Sequence, residues 1–365
     1  MPETRILVVG AGLAGLATAR ALARRGLAVE VIERQRGWGE AGAGIYLPAN
    51  AVRALRALGL EQAVSERGAV ISRQRVSDDR GRLLVEVDLA ELWDGIGPCL
   101  ALVRADLHAV LLDGAREVPL RLGVELRGLR QQDGILMVEF GDGTDGEYDL
   151  VIGADGIRST VRRLAFGADA AARPVGQVGW RFLTACPAEI TTWSVMLGHR
   201  TAFLMIPIGN GRVYCYGDVE SSSGEDPRRL FSGFSEPVPK LLDTVPTDRM
   251  HRSTIEEVVL DTWVRGRVVL VGDAAHATSP NMAEGAAMAL EDALVLAECL
   301  RYEATAVALS HFEDLRRPRT DWVRAQTHRR DRTRYLPTVV RNMVLRAFGR
   351  RIFQSNYRPL RQEAL

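Results

Sequence analysis

The chain has 365 residues, 47% hydrophobic and 25% charged, with a formal net charge of +1. That length accommodates two domains with sizeable cores, and the composition excludes disorder as the default state. Near-neutral charge gives no global reason for a nucleic-acid or acidic partner, and no apolar run reaches the length of a membrane span.

Every basic residue except Lys240 is arginine, a bias that carries no mechanism. Cys99, Cys186, Cys215 and Cys299 are widely separated with no CxxC, which argues for reduced thiols and against a zinc site or a disulfide framework. The chain enters its first strand after a few polar residues, so no signal peptide is expected and a cytoplasmic location is the simplest reading.

Ile6-Leu7-Val8-Val9 is a short apolar run that leads into Gly10-Ala11-Gly12-Leu13-Ala14-Gly15 and then an Ala/Leu-rich helix. A second run, Val29 to Ile32, ends at Glu33. Strand, glycine turn, helix and strand, followed by an acid, make a dinucleotide-binding fingerprint. Gly10 permits the tight turn, Gly12 lets backbone N–H groups approach a pyrophosphate, and Gly15 allows close helix packing. The anion would sit on the positive end of the helix, and Glu33 would accept both hydrogens of a ribose diol. These features by themselves do not distinguish FAD from NAD.

A loop from Gly37 to Gly44 follows, with Gly42-Ala43-Gly44-Ile45 small enough to lie against a flat ligand, and then a helical segment from Asn50 to Leu60. Arg73 to Leu89 alternates about an Asp78-Asp79-Arg80-Gly81 turn and reads as a hairpin that interrupts the nucleotide fold. A helix begins near Arg104, short strands follow around Leu126 and from Ile135 to Phe140, and Asp149 to Ile152 is an apolar strand of parallel type. It ends in Gly153-Ala154-Asp155-Gly156-Ile157-Arg158-Ser159. From Pro174 to Val258 the alternating stretches Trp193 to Leu197, Ala202 to Ile208 and Arg212 to Val219 predict an antiparallel sheet. Glu220 to Asp226 is a polar loop, and Pro227 to Leu242 is partly helical. Arg267 to Val271 returns to the first domain, ends in Gly272-Asp273-Ala274-Ala275-His276, and feeds a long helix from Gly285 to Arg301. The remainder is helical and arginine-rich.

The N-terminal fingerprint, the Gly-Ala-Asp-Gly-Ile-Arg-Ser segment and the late Gly-Asp-Ala-Ala-His, in that order and spacing, resemble the class A flavoprotein monooxygenases. This is the p-hydroxybenzoate hydroxylase-like family, and the branch with salicylate and FAD-dependent urate hydroxylases is most similar. The resemblance spans nearly the whole chain. It implies an α/β fold with a Rossmann-like FAD-binding domain of glutathione reductase type, an inserted antiparallel-sheet substrate domain and C-terminal helices. The corresponding division is 1–71, 99–170 and 259–305 for FAD, 72–98 and 171–258 for substrate, and 306–365 for the helical end.

The resemblance implies FAD as cofactor, NADH or NADPH as co-substrate, and O2 plus a small aromatic or heteroaromatic molecule as reactants. Hydroxylation through a flavin C4a-hydroperoxide is the implied reaction. Epoxidation, Baeyer–Villiger oxidation, a reductase reaction or a non-catalytic accessory role are the alternatives. Gly10, Gly12, Ala14, Gly15, Glu33 and Arg34 match the adenosine-diphosphate site, and Gly44, Ile45, Arg104 and Leu126 match further cofactor positions. Asp155 and Gly156 match a motif serving both nucleotides, Asp273 matches the acid on the ribityl chain, and Pro280, Glu284, Gly285 and Ala286 match the turn facing the isoalloxazine ring. A helix starting near Gly285 would aim its positive end at the ring. Two positions depart from the pattern: Glu284 stands where glutamine is common, and Asn281 stands where the urate branch has an acid.

Substrate contacts are expected from the second-domain sheet. Tyr214 and Tyr216 alternate with Arg212 on one strand face, and Arg200 opens the preceding strand. Arg200 and Tyr214 are the catalytic candidates, and Arg181, Tyr216 and Asn281 the substrate-binding ones. An arginine would hold an oxyanion bidentately. His276 reads as a structural hydrogen-bonding residue on the flavin side. The amphipathic run from Leu336 to Phe353 reads as a helix packed on the first domain with a solvated basic face, in preference to a membrane-surface helix.

Overall fold

The computed structural model describes residues 4–39, 43–220 and 226–364. Gly42 and most of the Glu220 to Asp226 loop therefore lie outside the described residues.

The N-terminal strand Ile6–Val9 lies inside a six-stranded sheet. It runs parallel to Val29–Glu33 on one side and to Leu150–Gly153 on the other, with Ile6 opposite both Val29 and Leu150. Every residue of Ile6–Val9 and Leu150–Gly153 is buried, because helices cover both faces of a parallel sheet; hence the continuous apolar runs. The glycine turn then packs as its spacing requires. Gly10 has φ +103°, and a Cβ there would come within 2.7 Å of the Ala154 carbonyl oxygen. A Cβ at Gly15 would lie 1.8 Å from the Gly10 oxygen, so only glycine lets helix Leu13–Ala23 sit this close to its own turn.

A seven-stranded sheet forms a second layer. Its order is His251–Glu257, Arg173–Ala185, Arg212–Glu220, Ala202–Pro207, Trp193–Leu197, Arg73–Asp78 and Leu83–Asp88. The hairpin read as an interruption of the nucleotide fold thus becomes the edge of this sheet, joined by a parallel pairing of Trp193–Leu197 with Arg73–Asp78. One face carries its own core of Trp180, Phe182, Phe203 and Phe231. The other face looks onto the first domain. The helix expected from Asn50 spans Ala49–Ala57 and stops before Gly59, whose φ of +72° ends it. Arg200 does not open a strand: it sits at φ +57° in the turn, and Ala202 opens the strand.

The chain closes with three long helices, Gly285–Tyr302, Thr305–Thr333 and Thr338–Tyr357. Among the described residues none is long and apolar enough to cross a membrane. A buried ionic network joins the first two of these helices to the turn after strand Val268–Leu270. Arg316, fully buried, donates to Asp292 at 2.8 Å and to Glu291 at 2.8 Å. Asp292 also accepts from Gly272 N at 2.9 Å and lies 2.7 Å from His276 Nε2. Burial alone would raise the Asp292 carboxyl, but His276 and Arg316 outweigh it and hold it down at about 2.

Replacing Arg316 with Met leaves two buried carboxylates short of a partner. A loss of about 3–5 kcal/mol in unfolding free energy is expected, read by urea denaturation. A change below about 1 kcal/mol would show that water or rearrangement satisfies the carboxylates instead.

Candidate active site

A cavity of about 600 Å³ opens where the glycine turn, the start of helix Gly285–Tyr302, the seven-stranded sheet and the last two helices meet. The side nearest the glycine turn is built from Gly12, Ala14, Arg104, Gly156 and Asp273. Nothing in the protein comes within 4 Å of where a Gly12 Cβ would stand, so the turn leaves room for a ligand to approach its backbone. Arg104, first in helix Arg104–Gly114, is exposed to the cavity while its N–H is held by the Ala43 carbonyl at 2.9 Å. Asp273 begins a one-turn helix after Gly272, which takes φ +58°.

The turn from Pro280 to Ala283 ends with Ala283 in the left-handed region at φ +54°, and Glu284 then caps the long helix without a side-chain bond. Gly285 and Ala286 line the cavity there, so first-turn N–H groups and the positive helix end face it. Backbone donors, an arginine, an acid and a helix terminus, all on one cavity, are a donor set suited to a dinucleotide carrying a polarisable ring.

Other expected cofactor residues lie behind this surface. Glu33 accepts from Ala11 N at 3.0 Å and from Gln35 N at 2.9 Å, fixing the turn. Gly10 and Gly15 shape the turn from within. Arg34 is exposed on another surface, and Leu126 is a core residue. Asp155 caps the following helix, accepting from Thr160 N at 2.6 Å, Val161 N at 3.1 Å and the Ser159 hydroxyl. Gly44 and Ile45 do line the cavity, yet Gly44 is small for a different reason than expected: its Cβ would come within 2.4 Å of Tyr214 Cβ.

Glu284 lies outside the cavity and is buried, its carboxylate accepting from Asn50 Nδ2 at 2.9 Å. Burial raises its carboxyl to about 8, the hydrogen bond from Asn50 opposing and Glu291 reinforcing. The second oxygen of Glu284 and the Asn50 side-chain oxygen are both buried without partners. A proton on Glu284 suits such an acceptor pair.

On the side of the seven-stranded sheet, Tyr214, Tyr216 and Asp218 alternate along Arg212–Glu220 and line the cavity. Arg181 pairs opposite Tyr216, donates to Ser253 Oγ at 2.5 Å, and holds its guanidinium carbon 4.9 Å from the centre of the Tyr216 ring. Burial raises both tyrosine hydroxyls, with Arg181 pulling partly back, so both stay protonated as donors. The Tyr216 hydroxyl is buried without a partner among the described residues. Asn281 lines the cavity, its amide donating to Asp331 and to Ser279 Oγ at 3.2 Å.

Arg200 is absent from the cavity wall. It is half exposed, pairs with Glu220 at 3.1 Å and stacks on Tyr335. His276, as expected, serves Asp292. Sequence reading missed Asp218, though the alternation with Tyr214 and Tyr216 contains it. It also missed Arg334, which pairs with Asp218 from helix-end distance in the chain and leaves no local signal.

The FAD binding domain family model matches residues 3–327. The chain is 33% identical over 324 residues to the aurachin C monooxygenase/isomerase of Stigmatella aurantiaca, covering 85% of this chain and 84% of that protein. It is 35% identical over 340 residues to the 2-heptyl-3-hydroxy-4(1H)-quinolone synthase of Pseudomonas aeruginosa, covering 88% and 87%. The crystal structure of Klebsiella pneumoniae HpxO with FAD and uric acid superposes with a TM-score of 0.81 at 28% identity, covering 98% of this chain and 92% of that one.

Replacing Glu284 with Gln removes the titration while keeping the shape. A carboxyl raised from an ordinary value near 4.5 to about 8 makes the native chain lose stability as pH climbs between those values. E284Q should therefore melt higher than the parent at pH 8, with the gap closing toward pH 4. Parallel melting curves across that range would place Glu284 in a solvated, ionised state.

Proposed function

The chain belongs to the FAD binding domain family, and on that premise we propose an FAD-dependent monooxygenase that uses NAD(P)H and O2 to hydroxylate an aromatic or heteroaromatic ring. The observation that carries this reading is the single cavity joining a nucleotide-binding turn and a helix N-terminus to the polar face of the second sheet. Relatives sharing a third of their residues are named as a monooxygenase/isomerase and a hydroxyquinolone synthase.

The residues present fit FAD. The glycine turn and Arg104 would meet the pyrophosphate, Asp273 the ribityl hydroxyls, and Pro280, Gly285 and Ala286 the ring. When bound, FAD supplies the redox centre that takes electrons from NAD(P)H and passes them to O2. The protein's part is positioning. The helix dipole favours negative charge at the ring edge nearest Gly285. Arg181 would hold a ring oxyanion or carbonyl, and the neutral hydroxyls of Tyr214 and Tyr216 would donate to it. The walls of Trp193, Leu204 and Ile206 exclude water from the reacting face.

Asp273→Ala should weaken FAD retention roughly 10- to 100-fold, the worth of a hydrogen bond to a charged group, measured by flavin absorbance after gel filtration. Arg181→Met should keep the flavin and raise KM for the ring substrate about as much. The function itself is tested by anaerobic reduction of the holoprotein with NADH and NADPH against an aromatic panel, followed by ¹⁸O2. Flavin reduction with ¹⁸O in the product supports the proposal, and reduction without incorporated oxygen would make the protein a reductase.

A further inference from the structure

The cavity is chemically divided, and the sheet register shows how. Along one cross-strand row of the cavity face the residues run Val76, Val195, Leu204, Tyr216, Arg181. The first three are apolar and the last two polar. In a neighbouring row Leu197 and Ala202 lead to Asp218, with Ser253 beyond Gly179, while Asp78 at the outer edge is bonded to Arg82 and does not line the cavity. Polar groups therefore collect over Arg173–Ala185, Arg212–Glu220 and His251–Glu257. The strands Trp193–Leu197 and Ala202–Pro207 present hydrocarbon, and Arg73–Asp78 adds Val76 beside Gln74.

The hydrocarbon side has a roof. Helix Thr338–Tyr357 turns Val344, Leu345, Ile352 and Phe353 into the same cavity, with Leu336 just before it. The helix is fixed along its length, at its far end by the Tyr357 hydroxyl donating to the Met282 carbonyl at 3.2 Å. Buried Arg341 donates to the Gly198 carbonyl at 2.6 Å and the Leu197 carbonyl at 3.0 Å. Gly349 sits so close to the hairpin that its Cβ would be 2.8 Å from Val85 Cβ. Of the polar groups bordering this lobe, Arg341 has its guanidinium engaged by carbonyls and by Asn342. Gln74 stands at the sheet end, next to Trp193. A small ring held by Arg181 and the tyrosines would leave a lobe lined by hydrocarbon on two sides, with Gln74, Thr201 and Arg330 as the polar groups at its margins, Arg330 lying 4.8 Å from the centre of the Phe353 ring.

We propose that the substrate is a flat ring bearing an extended apolar chain, with the ring at Arg181, Tyr214 and Tyr216 and the chain lying between Val76–Val195–Leu204 and the Val344 face of the C-terminal helix. This deepens the monooxygenase reading and rests on its assignment of the cavity to substrate. Chain length becomes the selecting property, because each buried methylene adds about 0.8 kcal/mol, which is about a fourfold gain in affinity.

The test uses binding to the FAD-loaded protein, read by isothermal titration and by quenching of tryptophan fluorescence, with Trp193 in the wall as reporter. The probes are two ring series, 4-alkylphenols and 2-alkyl-4-quinolones, each carrying methyl, butyl or heptyl. Dissociation constants should fall steeply from methyl to heptyl in at least one series. Val344→Phe, placed to fill the lobe, should abolish that gain while leaving the methyl compound's affinity, the flavin content and the melting temperature near those of the parent. Equal affinity for methyl and heptyl probes, or no binding in either series, would overturn the proposal. A chain-length gain untouched by V344F would overturn the location, and Leu204→Phe checks the same lobe from the sheet should V344F fold poorly. Chain-dependent binding without oxygenated product would support the lobe and count against the oxygenase reading alone.

Discussion

The contact on which the site most depends is the buried pairing of Arg316 with Asp292 and Glu291. Stripping water from three charged groups costs several kcal/mol each, and the arrangement is tolerable only because nearly every donor and acceptor finds a partner. Those partners are the residues that set the site. Asp292 binds the backbone of Gly272, immediately before Asp273, and engages His276 at the other end of that short turn. Asp292 itself belongs to the helix whose first turn lines the cavity. One carboxylate therefore fixes the distance between an acid and a helix terminus that are adjacent in space and separate in the chain.

The two sides of the cavity are coupled by shape as well. Gly44 belongs to the strand Gly44–Leu47 of the first domain, and Tyr214 to the second sheet, yet no side chain larger than hydrogen fits between them. Tyr46 and Trp193 repeat the contact one step along, with ring centres 4.4 Å apart. The surfaces expected to hold cofactor and substrate thus meet through close-packed aromatic faces, which transmit small displacements instead of absorbing them.

Much of this was legible from the residues. Periodicity placed the strands at 193–197, 202–207 and 212–220 within a residue or two, and the glycine turn was recognisable because strand, turn, helix and acid occur at fixed offsets. What escaped depended on partners distant in the chain. Glu284 reads as a charge near a ring, but Asn50, 234 positions away, draws it into the core. Asp155 reads as a ligand contact, and the Ser159 and Thr160 that follow also give its carboxylate hydrogen bonds within the chain. Arg200 fails because a turn residue at positive φ does not continue the alternation of the strand it precedes. Alternation shows which side chains share a face; it does not show what covers that face. That is why the C-terminal helix, read as packing on the first domain, also appears as a wall of the cavity.

The family match ends at residue 327, before helix Thr338–Tyr357 begins. The matched part holds the glycine turn, Asp273 and the helix terminus at Gly285, and the roof over the hydrocarbon lobe is the helix that follows it. The roof is tied to the sheet through Arg341 and Gly349, and its far end reaches the turn before Gly285, where the Tyr357 hydroxyl donates to the Met282 carbonyl at 3.2 Å and the Phe353 ring lies under the Arg330 guanidinium. Mutation near Val344 can therefore reshape what the protein selects, while change at the Tyr357 end also reaches the turn before Gly285, so a single helix ties the taste of the enzyme to its chemistry.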